Sequence, residues 1–263
     1  TTQQIALDQA LQALEKAAKN DKIEGIYMEG GILSAYPAEV QELRQALLKF
    51  KKSGKWIIAY ADTYSRSAYY LCSVADKVYL NPIGMLDWSG LSSNPMFFTG
   101  LMKKLGIKMQ VFKVGTYKSA VEPYIAEQMS DANREQVSSY QQSIWNNMLK
   151  DVAKSRKTTA EALNSLADSL TILSGPEASV KGGLVDKLCY QDEVKKILKN
   201  KAKMEEDESL RFVSISDVAL SEELNDKVDD EIAVYYAYGE IKEDITGGFA
   251  QESAITSKQM TKD

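Results

Sequence analysis

The sequence predicts an α/β protein in which helices flank a largely parallel sheet. Three observations lead there. Short apolar runs rich in β-branched and aromatic residues alternate with longer stretches whose apolar residues recur at helical spacing. Glycine, asparagine and basic residues fall at the joints between them, and strands alternating with helices imply parallel pairing through crossovers. With 263 residues and 44% apolar content, the chain can bury a substantial core.

In order, Leu7, Leu11, Leu14 and Ala18 mark a first helix, ended by Lys19-Asn20-Asp21-Lys22 before the strand Gly25 to Met28. Val40, Leu43, Leu47 and Phe50 form the face of a second helix, which Lys51-Lys52-Ser53-Gly54-Lys55 closes with positive charge at its negative end. Trp56 to Ala61 reads as a buried strand, Asp62-Thr63-Tyr64-Ser65 as a turn rich in capping residues, Ala68 to Ala75 as a helix and Lys77 to Leu80 as a strand. Asn81-Pro82 and Gly84 punctuate the chain. Asn94-Pro95 then predicts a capped helix faced by Phe98, Leu101, Met102 and Leu105, and Gln110 to Val114 a further strand. Val137, Tyr140, Ile144, Met148 and Val152 space a long helix, followed by another over 159–167. The charged stretch 201–230 reads as a linker with a small strand in its apolar patch, Leu210 to Ile215. Ile232 to Tyr238 is a strong strand beyond it. The domain reading is therefore residues 1–200, a linker over 201–230, and the start of a second unit over 231–263.

The chain contains no histidine. It cannot by itself build a Ser-His-Asp triad, a Cys-His pair or a histidine-bearing metal site, so acid and base chemistry falls to carboxylates, lysine, tyrosine or cysteine. No metal-ligand cluster and no cofactor motif occurs, and neither cofactor nor metal is expected. The net charge of −5, with signs mixed along the chain, gives no basic stripe, so nucleic acid is not an expected partner. No apolar run approaches the roughly 18 residues that cross a bilayer. Cys72 and Cys189 fit neither a CxxC motif nor a disulfide framework and read as two separate, buried thiols.

Four places invite chemistry. Gly115-Thr116-Tyr117-Lys118-Ser119 follows a predicted strand, where sites gather in α/β proteins; Lys118 is either a base, if its amine is kept neutral, or a surface lysine paired with Glu122 four residues on. Ser65 and Ser67 stand at a strand-to-helix turn, as nucleophiles do, but without the usual glycines, so Ser65 also reads as a plain helix cap. Tyr235, Tyr236 and Tyr238 line either a groove or a sheet. Gly30-Gly31 is either an oxyanion turn or an ordinary loop.

Taken together, Ser53-Gly54-Lys55, Tyr64-Ser65 with Tyr69-Tyr70-Leu71, Ala75-Asp76-Lys77-Val78-Tyr79-Leu80-Asn81-Pro82 and above all Val114-Gly115-Thr116-Tyr117-Lys118-Ser119-Ala120-Val121-Glu122-Pro123-Tyr124 resemble the signal peptide peptidase A family. The likeness is to the amino-terminal half of its long, two-repeat form and covers most of residues 5–200. It implies a ClpP/crotonase-like fold and a serine endopeptidase that degrades cleaved signal peptides with a Ser/Lys dyad. The implied general base is Lys118, with Gly115, Thr116, Tyr117 and Ser119 as its motif. The nucleophile belongs to the second repeat, and the matching turn here places Arg66 at that position. The resemblance further implies a homo-oligomer at the bacterial cytoplasmic membrane, facing outward and held by an anchor outside this chain. An apolar groove for extended peptide is expected, partly built by Met85, Leu86 and Trp88. On this reading the chain lacks the carboxy-terminal repeat and has no peptidase activity alone. The competing functions are a non-catalytic assembly or peptide-binding repeat and, from fold alone, a crotonase-type acyl-CoA enzyme.

Overall fold

The computed structural model describes residues 5–205, 207–221, 240–241 and 254–255. The chain divides into two units, 1–221 and 222–263. The first begins with α1 (Leu7–Lys19), β1 (Gly25–Glu29), α2 (Pro37–Lys51), β2 (Trp56–Tyr64), α3 (Arg66–Cys72) and β3 (Lys77–Leu86). There follow α4 (Thr99–Leu105), α5 (Glu122–Ile125), α6 (Asp131–Arg156), α7 (Ala160–Asp168), α8 (Pro176–Lys181), β4 (Lys187–Leu188), α9 (Gln191–Lys201) and α10 (Ile215–Leu220). Among the described residues of this unit, four strands form one parallel sheet in the order β1-β2-β3-β4.

Alternation along β2 explains the layers. Ile57, Ala59 and Ala61 face a large core shared with α1, α2, α3, α6 and α7, whereas Ile58 and Tyr60 face a smaller one with Tyr79, Cys189, Val194 and Leu198. Helix α9 thus covers the second face, completing the predicted α/β arrangement. Local signals start most of the helices on schedule. Pro37 opens α2, and Ser65, Ser130 and Thr159 cap α3, α6 and α7 by accepting from backbone amides.

Several expectations are corrected. Asn81, Pro82 and Gly84 do not end β3. Its register against β2 jumps between Ala61↔Leu80 and Thr63↔Met85, and this irregularity absorbs the proline that has no amide to donate. Asn94-Pro95 does not start a helix, since α4 begins at Thr99 and Leu101 and Leu105 remain exposed. Gln110 to Val114 has no regular secondary structure and joins no strand among the described residues, leaving Phe112 and Val114 96% and 90% exposed. High β-propensity makes a strand only where a neighbour accepts the hydrogen bonds. Leu210 to Ser214 is likewise no strand. Instead Ser214 caps α10, which packs on α1, where Lys16 Nζ donates to the Ala219 and Ser221 carbonyls at 3.0 and 2.8 Å. Residues 207–221 therefore belong to the first unit rather than to a linker.

In the second unit, β5 (Glu240–Ile241) pairs in parallel with β6 (Ala254–Ile255). The predicted strand over 232–238, with Tyr235, Tyr236 and Tyr238, lies outside the described residues. No helix of the described residues is long and apolar enough to cross a membrane.

Candidate active site

Lys118 sits on the turn between the unpaired segment 110–114 and α5. Gly115 starts this turn at φ +107°, a conformation that side chains resist, and a Cβ placed there would lie 3.7 Å from Lys118 Cγ. Thr116 is exposed. Tyr117 donates its hydroxyl to Glu135 Oε2 on α6 at 3.1 Å, and this bond raises the phenol above its ordinary pKa. The Ser119 carbonyl accepts the Glu122 amide at 2.9 Å. Lys118 itself is exposed and makes no hydrogen bond or ion pair among the described residues.

The alternative reading, a surface pair of Lys118 with Glu122, does not occur. Glu122 is buried and turned the other way, accepting from the Ser130 hydroxyl and amide and from the Asn133 side chain at 2.5, 3.2 and 2.9 Å. The Ser130 hydroxyl above all, together with the Asn133 amide, holds this carboxyl below the usual carboxylate range. Sequence reasoning missed the role of Glu122, although Ser130-Asp131 carries a visible helix-start signal that would have placed a cap there.

The serine turn is a different place. Ser65 Oγ accepts from Ala68 N and Leu33 N, both at 3.3 Å, so it caps α3 and binds the loop after β1. The Gly30 amide goes to the Tyr60 carbonyl at 2.8 Å and the Gly31 carbonyl takes the Ser65 amide at 3.0 Å, which ties these glycines into the scaffold. A Cβ on Gly30 would come within 2.3 Å of the Tyr64 ring, so close packing explains that glycine. Arg66 turns away to the Ser89 and Gly90 carbonyls at 3.3 and 2.7 Å. No hydrogen bond or ion pair joins the Lys118 turn to Ser65, Arg66 or Ser67 among the described residues.

The expected groove trio is split between surface and core. Met85 is 47% exposed, but Leu86 and Trp88 are core residues, Trp88 donating Nε1 to the Leu163 carbonyl at 2.9 Å and packing on Tyr69 and Trp145. The outward neighbour of Met85 is Ile83, at 85% exposure. Cys72 and Cys189 are separate buried thiols, and burial pushes them up to about 12 and about 11. Among the described residues no cluster of three or more cysteine, aspartate or glutamate side chains is placed to hold a metal ion.

Residues 49–205, which include the sheet from β2 onward and the Lys118 turn, match Peptidase family S49. The chain belongs to this family. Over 247 residues it is 32% identical to Protease 4 of Salmonella typhi, an alignment that takes in 91% of this chain and 40% of that protein. It is 39% identical over 149 residues to Protease 4 of Haemophilus influenzae, covering 55% of this chain and 24% of the relative. With the chloroplastic serine protease SPPA of Arabidopsis thaliana it shares 30% over 213 residues, 80% of this chain and 31% of the plant protein. The chain therefore spans less than half the length of these relatives. The S49 match and the parallel sheet between helices agree with the ClpP/crotonase-like fold and the signal peptide peptidase A likeness read from the motifs.

Proposed function

We propose that this chain supplies the general base, Lys118, to a serine endopeptidase that cleaves spent signal peptides by a Ser/Lys dyad. The observation that carries this reading is an unpaired lysine amine on a turn anchored at both ends, in a histidine-free chain of a peptidase family. The serine comes from outside the described residues, because Ser65 is spent as a cap and Arg66 occupies the corresponding turn. Neutral Lys118 Nζ takes the proton of the serine hydroxyl as its oxygen bonds to the peptide carbonyl carbon. It returns that proton to the amine nitrogen as the C–N bond breaks. Lys118 is exposed, so on this reading the cover that strips water from its amine comes from a surface packed against it. The exposed apolar side chains of Phe112 and Val114 just before the turn support such a contact.

On the same reading Ile83 and Met85 contribute to an apolar groove for extended peptide, and the enzyme works as a membrane-anchored homo-oligomer on the outer side of the bacterial cytoplasmic membrane. The exposed apolar residues of 107–114 also favour a second reading, an assembly repeat whose lysine is incidental. Kinetics of Lys118→Ala in the intact protease separate the two. A fall in kcat of about a thousandfold or more with assembly intact, as judged by size-exclusion chromatography, is expected for a base. Wild-type cleavage by that variant excludes the dyad assignment.

A further inference from the structure

A buried carboxylate without a cationic partner ties the Lys118 turn to the start of α6. Glu122 is 4% exposed and takes part in no ion pair among the described residues. A charge buried in this way is costly unless hydrogen bonds replace its water. Here both oxygens are used: Oε1 accepts from the Ser130 hydroxyl, and Oε2 from the Ser130 amide and the Asn133 side-chain amide. Ser130 Oγ in turn accepts from the Asn133 backbone amide at 3.2 Å, so the carboxylate and the helix cap form one network. The main chain of Glu122 closes the other side, donating to the Ser119 carbonyl. One residue thereby grips both the turn and the helix.

The same arrangement settles where the carboxylate is not. Residues four apart can pair, and a carboxylate beside Lys118 would hold its amine protonated. Occupied by Ser130 and Asn133, Glu122 leaves the amine unpaired. The charged group that acts on this network is Lys113, whose positive charge adds a smaller share to the lowering of the Glu122 carboxyl.

We infer that Glu122 is a positioning residue for the base: its carboxylate fixes the Lys118 turn on the α6 N terminus while keeping itself out of the reach of the lysine amine. The inference rests on the reading of Lys118 as general base. The test is steady-state kinetics across pH of Glu122→Gln, Asn133→Ala and Lys118→Ala in the intact protease. Glutamine removes the charge and replaces one of the two acceptor oxygens by a donor, so at least one of the three hydrogen bonds to the carboxylate is lost or reversed without a change of size. The expected result for Glu122→Gln is a 10- to 100-fold fall in kcat, KM within twofold, and an ascending pH limb moved to higher pH as the loosened lysine regains its hydration. Asn133→Ala, which keeps the carboxylate and the cap, is expected to shift the limb the same way with a smaller fall, and it decides the matter if the glutamine variant does not fold. A purely structural role lowers the rate by one factor at every pH and leaves the limb in place, which overturns the inference, as does wild-type kinetics in either variant that folds. Activity retained in Lys118→Ala overturns the base reading itself, a distinct outcome.

Discussion

Arg44 brings a guanidinium into the interior at 0% exposure. Nη1 donates to the Tyr70 carbonyl and, at 2.8 Å, to Ser73 Oγ; Nη2 donates to the Asp151 carbonyl at 2.9 Å and Ser155 Oγ at 2.6 Å. Its carbon lies 4.7 Å from the centre of the Tyr70 ring, and Nε is 3.9 Å from Asp151 Oδ2 without a hydrogen bond. Truncation removes all four donated bonds and leaves a cavity between α2, α3 and α6, with only the Ser73 hydroxyl still donating to the Tyr70 carbonyl at 2.9 Å. Arg44→Ala should therefore cost about 3 kcal/mol or more in urea unfolding, and a loss under about 1 kcal/mol would show that the network contributes little. Asp186 makes a pH-dependent contribution. Burial works to raise its pKa, but the Val78 amide at 2.8 Å, Arg156 at 3.0 Å and Lys77 at 3.2 Å outweigh it, and the net direction is down. A depressed carboxyl stabilises the fold above its unfolded pKa of about 3.9, and this is lost as pH falls through the folded value. Wild type should exceed Asp186→Asn in thermal midpoint at pH 7, with the gap closing below about pH 4; a gap that is constant with pH would contradict this.

At the scale of elements, β3 shows how the pleat divides function from packing. Within β3, Ile83 and Met85 point outward while Leu86 is buried, and Trp88 just beyond the strand is buried too, so a run that reads as one apolar patch in sequence serves two faces. For the proposed groove, Met85→Glu should raise KM for an apolar peptide severalfold and leave kcat and the thermal midpoint near wild type. Unchanged KM would remove Met85 from the groove. Much of this scale was legible. Helical spacing and caps placed α1, α2, α6 and α7, and apolar runs placed β1, β2 and the first half of β3. The motif around Lys118 was visible, but the direction of Glu122 was not, because helical spacing pairs it with Lys118 whereas the partners that hold it come from the next helix. Arg44 was overlooked for a related reason. It lies four residues after Val40 and three before Leu47, on the apolar face, and the acceptors that make burial tolerable come from residues 70–155.

For the whole molecule, the chain spans less than half of the relatives named above, and it pairs the Lys118 turn with no nucleophilic serine among the described residues. The chain by itself should show no turnover of a fluorogenic signal-peptide substrate at pH 7–9. Turnover abolished by Lys118→Ala would mean that a serine within it completes the site. The sequence by itself determined the order of helices and strands from α1 to β3, the exclusion of imidazole chemistry and the family motif around Lys118, since these rest on local propensity, residue inventory and contiguous residues. Only the tertiary structure decided that 110–114 finds no strand to pair with, that α10 packs on α1 where a linker was expected, that Leu86 and Trp88 are core, and that Glu122 holds the α6 terminus and not the lysine. Each depends on a hydrogen-bond partner or a packed surface supplied from a distant part of the chain, and spacing along one segment does not encode that partner.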